Sequence, residues 1–340
     1  MVLGFWDLDV PIVGAPMSGG PGTPALAAAV SNTGGLGFLA SGYVSADRLA
    51  ADFAAARAAT TGPLGINLFV PQPSVADFYQ LDYYADVLDE LAEHYGVEIG
   101  YPRFGDDDGW QQKLEAVADL KPEMVSFTFG APSPDVLRWF GALGMLLFVT
   151  VTSTYEAGVA LAVGADGLVV QGPNAGGHRG TFAPDMTPGT ESLISLLDRI
   201  GSAHEVPLIA AGGLGTTDDV AAVLRRGAVA AQIGTGLLLA DEAGTNAAHR
   251  SALGHPQFDT TVVTRAFSGR YARGLANDFT RMFDDVAPLG YPEVNQMTSP
   301  IRKAAVDLED AHGTNLWAGT AYREARGGPA EEIVKTLGHV

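Results

Sequence analysis

The sequence predicts an α/β protein built as a closed (β/α)8 barrel, and two features of the chain lead to that prediction. Eight short apolar runs recur along it, each bounded by Gly, Pro or polar residues, and Ala-rich stretches with helical spacing separate most of them. Most runs lack polar alternation, which suits strands buried on both faces of a parallel sheet. Eight such strands, alternating with helices through right-handed crossovers, are typical of a (β/α)8, or TIM, barrel.

The predicted elements follow one another regularly. Strands are expected at 11–15, 36–40, 64–69, 124–129, 145–151, 167–171, 207–211 and 230–234. Helices are expected at 24–33, 46–60, 110–120, 134–143, 154–163, 191–204 and 217–226. Capping residues stand where several helices should begin or end: Ser45, Ser133, Ser153, Thr216, Gly34, Gly164 and Gly227. An open doubly wound sheet is the alternative, but no G-x-G-x-x-G turn follows the first strand.

Two segments fall outside this alternation. We expect residues 1–69 and 110–240 to form the barrel, and residues 70–109 to be a helical insertion after the third strand, amphipathic at 75–95. Residues 241–340 show no clear strand–helix unit, although 246–253, 302–310 and 316–326 have helical patterns. Both segments are predicted to cap the barrel mouth.

Composition excludes several classes of function. The 340 residues include 39 Asp and Glu against 20 Lys and Arg, a formal net charge of −19, which disfavours a nucleic-acid or anionic-membrane surface. Because the chain has no cysteine, disulfides, thiolate nucleophiles, Cys-ligated zinc and iron–sulfur clusters are excluded. The N-terminal segment does not match a signal peptide and no apolar run reaches membrane-spanning length, so a cytoplasmic protein without a metal site is expected.

Barrels of this kind carry their chemistry at the carboxyl ends of the strands. Met17, Asn67, Thr128 and Gln171 lie at such ends. An amide in the otherwise apolar third strand is costly unless it finds partners. Asn67 is therefore either a structural amide satisfied by its neighbours or a ligand-binding group.

The loops after the last two predicted strands are rich in glycine. Gly212 and Gly213 follow the seventh strand, and the eighth ends in a turn of four residues: Gln232, Ile233, Gly234 and Thr235. Phosphate sites in such barrels are built from these two loops, where bare backbone N–H groups and a helix N-terminus face an anion. Glycines that merely end strands are the alternative, but two adjacent loops together favour a phosphate-bearing cofactor.

His178 is the sharpest catalytic candidate. The sixth predicted strand ends at Gln171 and opens into a turn in which Gly176 and Gly177 precede the histidine. Of the seven histidines, only this one is predicted to lie in a loop at a strand end. A structural role is the alternative; as a functional group it would be a general base tuned near neutral pH.

Residues 264–274 hold three arginines of an otherwise acidic protein: Arg265, Arg270 and Arg273. They form either a solvated turn that pairs with surface carboxylates or a positive patch that holds an anionic substrate or a phosphate.

Several motifs can be compared with known families: 11–17 (PIVGAPM), 31–37 (SNTGGLG), 171–180 (QGPNAGGHRG), 210–213 (AAGG) and 232–235 (QIGT). Together with 264–274 and 316–319 (LWAG) they resemble the nitronate monooxygenase family, formerly called 2-nitropropane dioxygenases. The resemblance covers about residues 11–326, and its most specific part surrounds His178.

The resemblance implies an FMN-dependent barrel that oxidises alkyl nitronates, such as propionate 3-nitronate, with O2 to a carbonyl compound and nitrite through a flavin semiquinone. By motif position, His178 would be catalytic, either abstracting the proton α to a nitro group or orienting an anionic nitronate. The cofactor-binding positions would be Met17, Asn67, Gln171, Gly176, Gly177, Gly212, Gly213, Gln232, Ile233, Gly234 and Thr235.

Three positions depart from the family pattern. Asn174 stands where an acidic residue is frequent, Thr128 where some relatives have a second histidine, and Thr320 where glutamine is usual. The alternatives are an FMN-dependent enoyl-acyl-carrier-protein reductase, an NAD(P)H:quinone reductase, and a flavin-binding sensor or scaffold without catalysis. The expected partners are a small nitronate and O2, without nucleic acid or membrane; whether the chain forms a homodimer is left open.

Overall fold

The computed structural model describes residues 8–339. The strands are β1 (Ile12–Gly14), β2 (Gly37–Ala40), β3 (Leu64–Phe69), β4 (Met124–Thr128), β5 (Leu146–Val151), β6 (Gly167–Gln171), β7 (Gly177–His178), β8 (Leu208–Ala211), β9 (Ala230–Ile233), β10 (Thr261–Thr264) and β11 (Ala272–Leu275). The helices are α1 (Pro24–Asn32), α2 (Ala46–Ala59), α3 (Phe78–Tyr95), α4 (Trp110–Leu120), α5 (Pro134–Ala142), α6 (Thr154–Ala162), α7 (Leu193–Ala203), α8 (Thr217–Leu224), α9 (Ala247–Gly254), α10 (Asp278–Phe283), α11 (Glu293–Asp307) and α12 (Ala330–Gly338). Residues 1–7 and 340, which the sequence prediction assigned to the barrel and to the C-terminal segment, lie outside this description.

Eight parallel strands form the main sheet in the order β1-β9-β8-β6-β5-β4-β3-β2. β1 pairs with β9 on one side, and Val13 bridges Leu36, just before β2, on the other. The sheet is thus nearly closed, and the predicted TIM barrel is confirmed. Each predicted strand is present with both ends within one residue of its expected position.

The predicted caps explain where the helices begin and end. The side chains of Ser45, Ser133, Ser153 and Thr216 each accept a backbone N–H of the first turn. Gly34, Gly164 and Gly227 follow helix ends with positive φ, a conformation that glycine adopts at little cost.

Side chains of the strands alternate between two cores. One set packs outward against the helices, and the other fills the barrel interior. The interior set includes Phe38 and Phe148, whose rings occupy the space where a Cβ at Gly65 or Gly167 would stand, at 2.4 and 2.3 Å. Gly65 and Gly167 are the second and the first residue of their strands, so these rings fill the amino end of the barrel.

Helix α12 takes the place of the eighth barrel helix. It packs against α1, α8 and β1 and buries Val334 and Leu337. Residues 234–329 are therefore one long segment, with helices and strands of its own, between the eighth barrel strand and its helix. The sequence prediction assigned all of 241–340 to a cap and so differs from the structure here, because the helix is separated from its strand by this long segment.

The insertion and the C-terminal segment share a hydrophobic core of their own. Helix α3 packs on α11, and buried side chains from both segments meet there: Leu81, Tyr84, Leu88, Phe267, Phe279, Val294, Met297 and Ile301. Asp108 bonds Lys113 at 2.6 Å and accepts the backbone N–H of Tyr43 at 3.1 Å. The end of the insertion is thereby held against the loop after β2.

A second, antiparallel sheet in the order β10-β11-β7 joins the C-terminal segment to the glycine-rich turn after β6. The sequence prediction contained neither β10 nor β11. It was wrong in expecting a helix at 316–326, where the structure has only the short 3-10 turn Tyr322–Glu324. The helix predicted at 302–310 begins earlier in the structure, since α11 starts at Glu293 and continues through Pro300.

None of the helices within residues 8–339 has both the length and the apolar character that a membrane span requires.

Candidate active site

Two connected cavities open at the carboxyl end of the barrel. The inner cavity, of about 230 Å³, is lined by strand ends and the glycine-rich loops. The outer cleft, of about 1320 Å³, is lined by barrel loops, the insertion and the C-terminal segment. Five ring-bearing side chains line both of them: Tyr43, Phe69, Phe129, His178 and Trp317. His178 therefore stands where the two cavities meet.

The inner cavity brings together the predicted catalytic histidine and all but one of the predicted cofactor-binding residues. Its lining includes Met17, Asn67, Gln171, Gly176, Gly177, His178, Gly212, Gly213, Gln232, Gly234 and Thr235. The exception is Ile233, whose side chain is buried in the core between sheet and helices. Strand alternation explains the difference, because Gln232 beside it faces the barrel interior.

The turn that carries His178 is held from several sides. Ala272 of β11 pairs with His178, and the Arg179 N–H donates to the carbonyl of Tyr271 at 2.8 Å. The Gln171 amide bridges the turn: Nε2 donates to the His178 carbonyl at 3.0 Å, and Oε1 accepts the Gly180 N–H at 2.9 Å. The imidazole is thus presented by a braced strand end rather than by a free loop.

The ring of His178 lies in an aromatic enclosure. The rings of Tyr291 and Trp317 are each centred 5.5 Å from it, and that of Phe129 lies edge-on at 5.9 Å. Its Nε2 is 2.8 Å from the hydroxyl of Ser268 in the β10–β11 turn. These contacts fix the plane and the direction of the imidazole.

Burial and nearby positive charge keep His178 neutral. Burial is the main cause that lowers the pKa of His178 to about 3, and the guanidinium groups of Arg270 and Arg302 lower it further. The imidazole is therefore uncharged at neutral pH, with one N–H donor and one lone pair.

Arg270 lies behind Phe129, with its guanidinium carbon 4.0 Å from the ring centroid. It donates to the backbone carbonyl of Thr181, while Nε and Nη1 find no acceptor in residues 8–339. Burial lowers the pKa of Arg270 to about 10, so it stays charged at neutral pH. The solvated-turn alternative is wrong for this arginine.

Arg302 lines the outer cleft and bonds only neutral groups. Its guanidinium donates to Thr298 Oγ1 at 3.1 Å, to Asn315 Oδ1 at 2.9 Å and to Asn295 O and Oδ1 at 2.8 Å. No carboxylate pairs with it in the described chain. Burial lowers the pKa of Arg302 to about 10, which leaves a positive charge at the cleft wall.

The NH2 group of the Asn67 amide has hydrogen-bond partners within the protein, as the structural alternative predicts. Its Nδ2 donates to Ser126 O at 3.2 Å, Ser126 Oγ at 2.9 Å and Thr128 Oγ1 at 3.0 Å. Because these partners lie on β4, the amide also ties β3 to β4 at the cavity rim.

The glycine-rich loop after β8 offers backbone donors, but the helix behind it does not. The carboxylate of Asp219 accepts the N–H groups of Gly215 and Thr216 at 3.1 and 3.0 Å and so occupies the N-terminus of α8. The N–H groups of Gly213 and Leu214 find no acceptor in residues 8–339. The anion-binding capacity predicted for this region therefore rests on Gly213–Leu214 rather than on the helix end.

Several residues of the site escaped sequence reasoning. Ser268 and Trp317 lie inside motifs that were recognised, but neither was assigned a role. Tyr43, Tyr291 and Arg302 lie in segments without any local signal, because only the packing of the cap brings them to the cleft.

Comparison with known proteins decides the family. The family model for nitronate monooxygenase matches residues 5–339. The chain belongs to the nitronate monooxygenase family. Nitronate monooxygenases are oxidoreductases, and the chain is accordingly an enzyme of that class.

The relatives span nearly the whole chain. The nitronate monooxygenase of Pseudomonas aeruginosa is 39% identical over 97% of this chain and 95% of its own length. That of Paraburkholderia phytofirmans is 37% identical over 99% and 93%. Among solved structures, the nitroalkane oxidase of Streptomyces ansochromogenes is similar, with a TM-score of 0.94, 43% identity and coverage of 97% of this chain and 95% of that chain.

The positions that depart from the nitronate monooxygenase motifs have defined structural roles here. The carbonyl of Asn174 accepts the Thr320 N–H at 3.1 Å, so these two departures are neighbours. Thr128 accepts from Asn67 and lies 3.3 Å from the Thr150 hydroxyl. Arg179, which lacks an acidic partner at 174, is buried and donates to the carbonyl of Gly172 instead.

Proposed function

We propose that this member of the nitronate monooxygenase family binds FMN in the inner cavity and oxidises an alkyl nitronate with O2 to a carbonyl compound and nitrite. One observation carries the proposal: an uncharged, braced His178 stands between a glycine-lined cavity and a cleft that presents the positive Arg302. The cavity suits a phosphate-bearing cofactor, and the cleft suits a small anion.

The walls of the inner cavity fit a flavin. Met17 offers an apolar wall, and Gln171 and Gln232 offer amides at strand ends. Gly177 has φ 75° and no atom within 4 Å of its Cβ position, so the backbone leaves space on that side. The N–H groups of Gly213 and Leu214 would bind the phosphate. Bound FMN would supply the one-electron redox chemistry that amino-acid side chains lack.

The protein's own residues position the substrate. A nitronate carries its negative charge on the two nitro oxygens. No carboxylate in residues 8–339 neutralises Arg302, which would attract this charge and donate the one guanidinium N–H that its bonds to Thr298, Asn295 and Asn315 leave free. The rings of Tyr291 and Trp317 beside His178 exclude water from the reacting carbon. His178 would contact the substrate, and Gln171 would hold its turn.

An absorption spectrum and an anaerobic titration test the proposal. Protein purified without harsh treatment should show oxidised flavin, which propionate 3-nitronate or ethyl nitronate should bleach and NADH should hardly affect. The variant His178→Asn should keep the flavin and lose about 100-fold or more of nitronate turnover.

Other outcomes would point elsewhere. Protein without flavin would contradict FMN binding. Rapid bleaching by NADH, with turnover of a quinone or an enoyl thioester, would make the chain a reductase. Retained flavin with undiminished turnover in His178→Asn would remove the histidine from the chemistry.

A further inference from the structure

The two ring nitrogens of His178 have different surroundings. Nε2 lies 2.8 Å from the hydroxyl oxygen of Ser268. Nδ1 has no hydrogen-bond partner in residues 8–339. It is not fully buried, so it remains accessible from the cavity. The position of the proton on the neutral ring therefore decides whether Nδ1 presents an N–H donor or a lone pair to the cavity.

The two neighbours of the Ser268 hydroxyl determine in which direction its hydrogen bonds run. It has one proton and two neighbours, His178 Nε2 and the carbonyl of Arg270 at 3.2 Å. We find no other donor to that carbonyl in the described residues, and both residues are buried. Turning the proton toward His178 would leave a buried carbonyl unsatisfied, which costs free energy. Ser268 thus donates to Arg270 and accepts from Nε2–H.

Hydrogen bonds and packing hold the backbone around Ser268 in place. Its N–H donates to the Arg265 carbonyl at 3.1 Å, and the N–H of Gly269 donates to the same carbonyl at 2.7 Å. Gly269 has φ 73°, and a Cβ there would stand 2.5 Å from the carbonyl oxygen of Gly290. The turn is therefore packed against the cap, and the hydroxyl is fixed beside the imidazole.

We propose that Ser268 is a positioning residue that keeps the proton of neutral His178 on Nε2, so that Nδ1 is the base that takes the α-proton of a nitroalkane. The inference rests on the proposed function and concerns its proton-transfer step, which a neutral nitroalkane requires and a nitronate does not. The α C–H bond breaks, its electron pair moves onto the nitro group, and the proton forms the Nδ1–H bond. The resulting nitronate is the anion that Arg302 faces.

The charges around the site agree with this assignment. Arg270 and Arg302 oppose an imidazolium in the resting site, so Nδ1 is free of a proton when the substrate arrives. Proton transfer creates the imidazolium and the nitronate anion together, and the anion offsets the added positive charge. Nε2–H keeps its bond to Ser268 throughout.

Nitrogen-15 NMR of the histidine rings tests the tautomer without reference to turnover. In the wild type, the His178 ring should show a protonated Nε2 and an unprotonated Nδ1. Ser268→Ala should change or mix the tautomers, and Ser268→Thr, which keeps the hydroxyl, should restore the wild-type pattern. A wild-type ring protonated on Nδ1 would overturn the inference.

A matched pair of substrates tests the chemistry. Nitroethane must lose its α-proton, whereas ethyl nitronate has already lost it. Ser268→Ala should lower kcat for nitroethane about 10-fold or more and change that for ethyl nitronate less than about threefold. Ser268→Thr should recover most of the loss. Ser31→Ala is the control, since this buried hydroxyl in α1 also donates to backbone carbonyls, those of Ala27 and Pro63.

The outcomes separate this inference from the proposed function. Equal losses on both substrates would assign Ser268 a merely structural role and overturn the inference. If the wild-type protein turns over ethyl nitronate but not nitroethane, Nδ1 is not the base for the α-proton. The proposed oxidation of nitronates would then still stand. Turnover of neither would overturn the proposed function itself.

Discussion

The Gln171 amide is the clearest case of one residue that serves two purposes. Its position at the end of β6 and on the inner cavity suits a ligand-binding group. Both of its polar atoms nevertheless bond the turn of His178, through the His178 carbonyl and the Gly180 N–H. The sequence could indicate that this residue lies at the site, but the second purpose depends on a turn geometry that only the fold reveals.

Gln171→Ala should therefore loosen the catalytic turn. Loss of two partly buried hydrogen bonds should lower the free energy of unfolding by about 1–3 kcal/mol, and nitronate turnover should fall about 10-fold or more because His178 is less well placed. Urea unfolding and steady-state kinetics measure the two effects. Gln72→Ala, in the outer cleft, is the control, since the Gln72 amide donates only to the carbonyl of its own neighbour Pro71 in residues 8–339 and does not bond the turn of His178. Unchanged kinetics in Gln171→Ala would contradict the bracing role.

Arg302→Gln tests the positive wall of the cleft. Removing the charge should raise KM for ethyl nitronate about 10-fold with a smaller change in kcat, since it weakens binding of the anion. The pKa of His178 should move upward, because one of the cations that lower it is gone. Lys303→Gln removes the same charge one residue away, where the ammonium is exposed and paired with Asp307. If the two variants behave alike, Arg302 does not bind the substrate.

Among the elements, the barrel was predictable, whereas the cap was predictable only in part: the helical patterns at 75–95 and 246–253 correspond to α3 and α9, but β10, β11 and the start of α11 were missed. Buried parallel strands and capped helices leave local signals, as at Ser133 and Gly164, and these fixed the element ends within one or two residues. Strands β10 and β11 gain their partners from each other and from β7, far away in sequence. Helix α11 contains Pro300, which reads locally as a helix break. Such elements depend on tertiary contacts that no sequence window contains.

Helix α12 supplies the element-scale prediction. Leu337→Ala should lower the free energy of unfolding by about 2–4 kcal/mol, because a buried side chain is removed between α12 and the barrel. Lys335→Ala, on the exposed face of the same helix, should change it by less than about 0.5 kcal/mol. Chemical denaturation of both variants makes the comparison. Equal, small effects would show that α12 is not part of the barrel wall.

At the scale of the whole molecule, charge is distributed unevenly. The chain has a formal net charge of −19, yet the charged groups that lower the pKa of His178 are the cations Arg270 and Arg302. Composition alone indicated an acidic surface, and it could not show that the interior of the site has the opposite sign. The recognised motifs contain about half of the residues that line the inner cavity, whereas the outer cleft needed the folded cap.

Two histidines with lowered pKa values should make stability fall in mild acid. Burial is the main cause that lowers the pKa of His178 to about 3 and that of His249 to about 4. In the unfolded chain both titrate near 6.5. Below that pH the unfolded chain binds protons that the folded chain does not, so the free energy of unfolding should decrease as pH falls from about 6.5 to about 4. The slope should reach about 1.4 kcal/mol per pH unit for each histidine.

Urea unfolding at pH 7.5 and pH 5.0 measures this loss, and His249→Gln should reduce it because one of the two groups is removed. The same pH dependence in both proteins would show that His249 does not contribute.

The placement of α12 also bears on how the chain is made. A ribosome releases β1 to β9 and seven flanking helices before it has synthesised residues 234–329, and α12 comes last. Until then the surface between α1 and α8, where Val10 and Ile12 meet Gly338, has no cover and presents apolar side chains to solvent or to a chaperone. The eighth barrel helix is therefore available to cover this surface only after residues 234–329 have been synthesised.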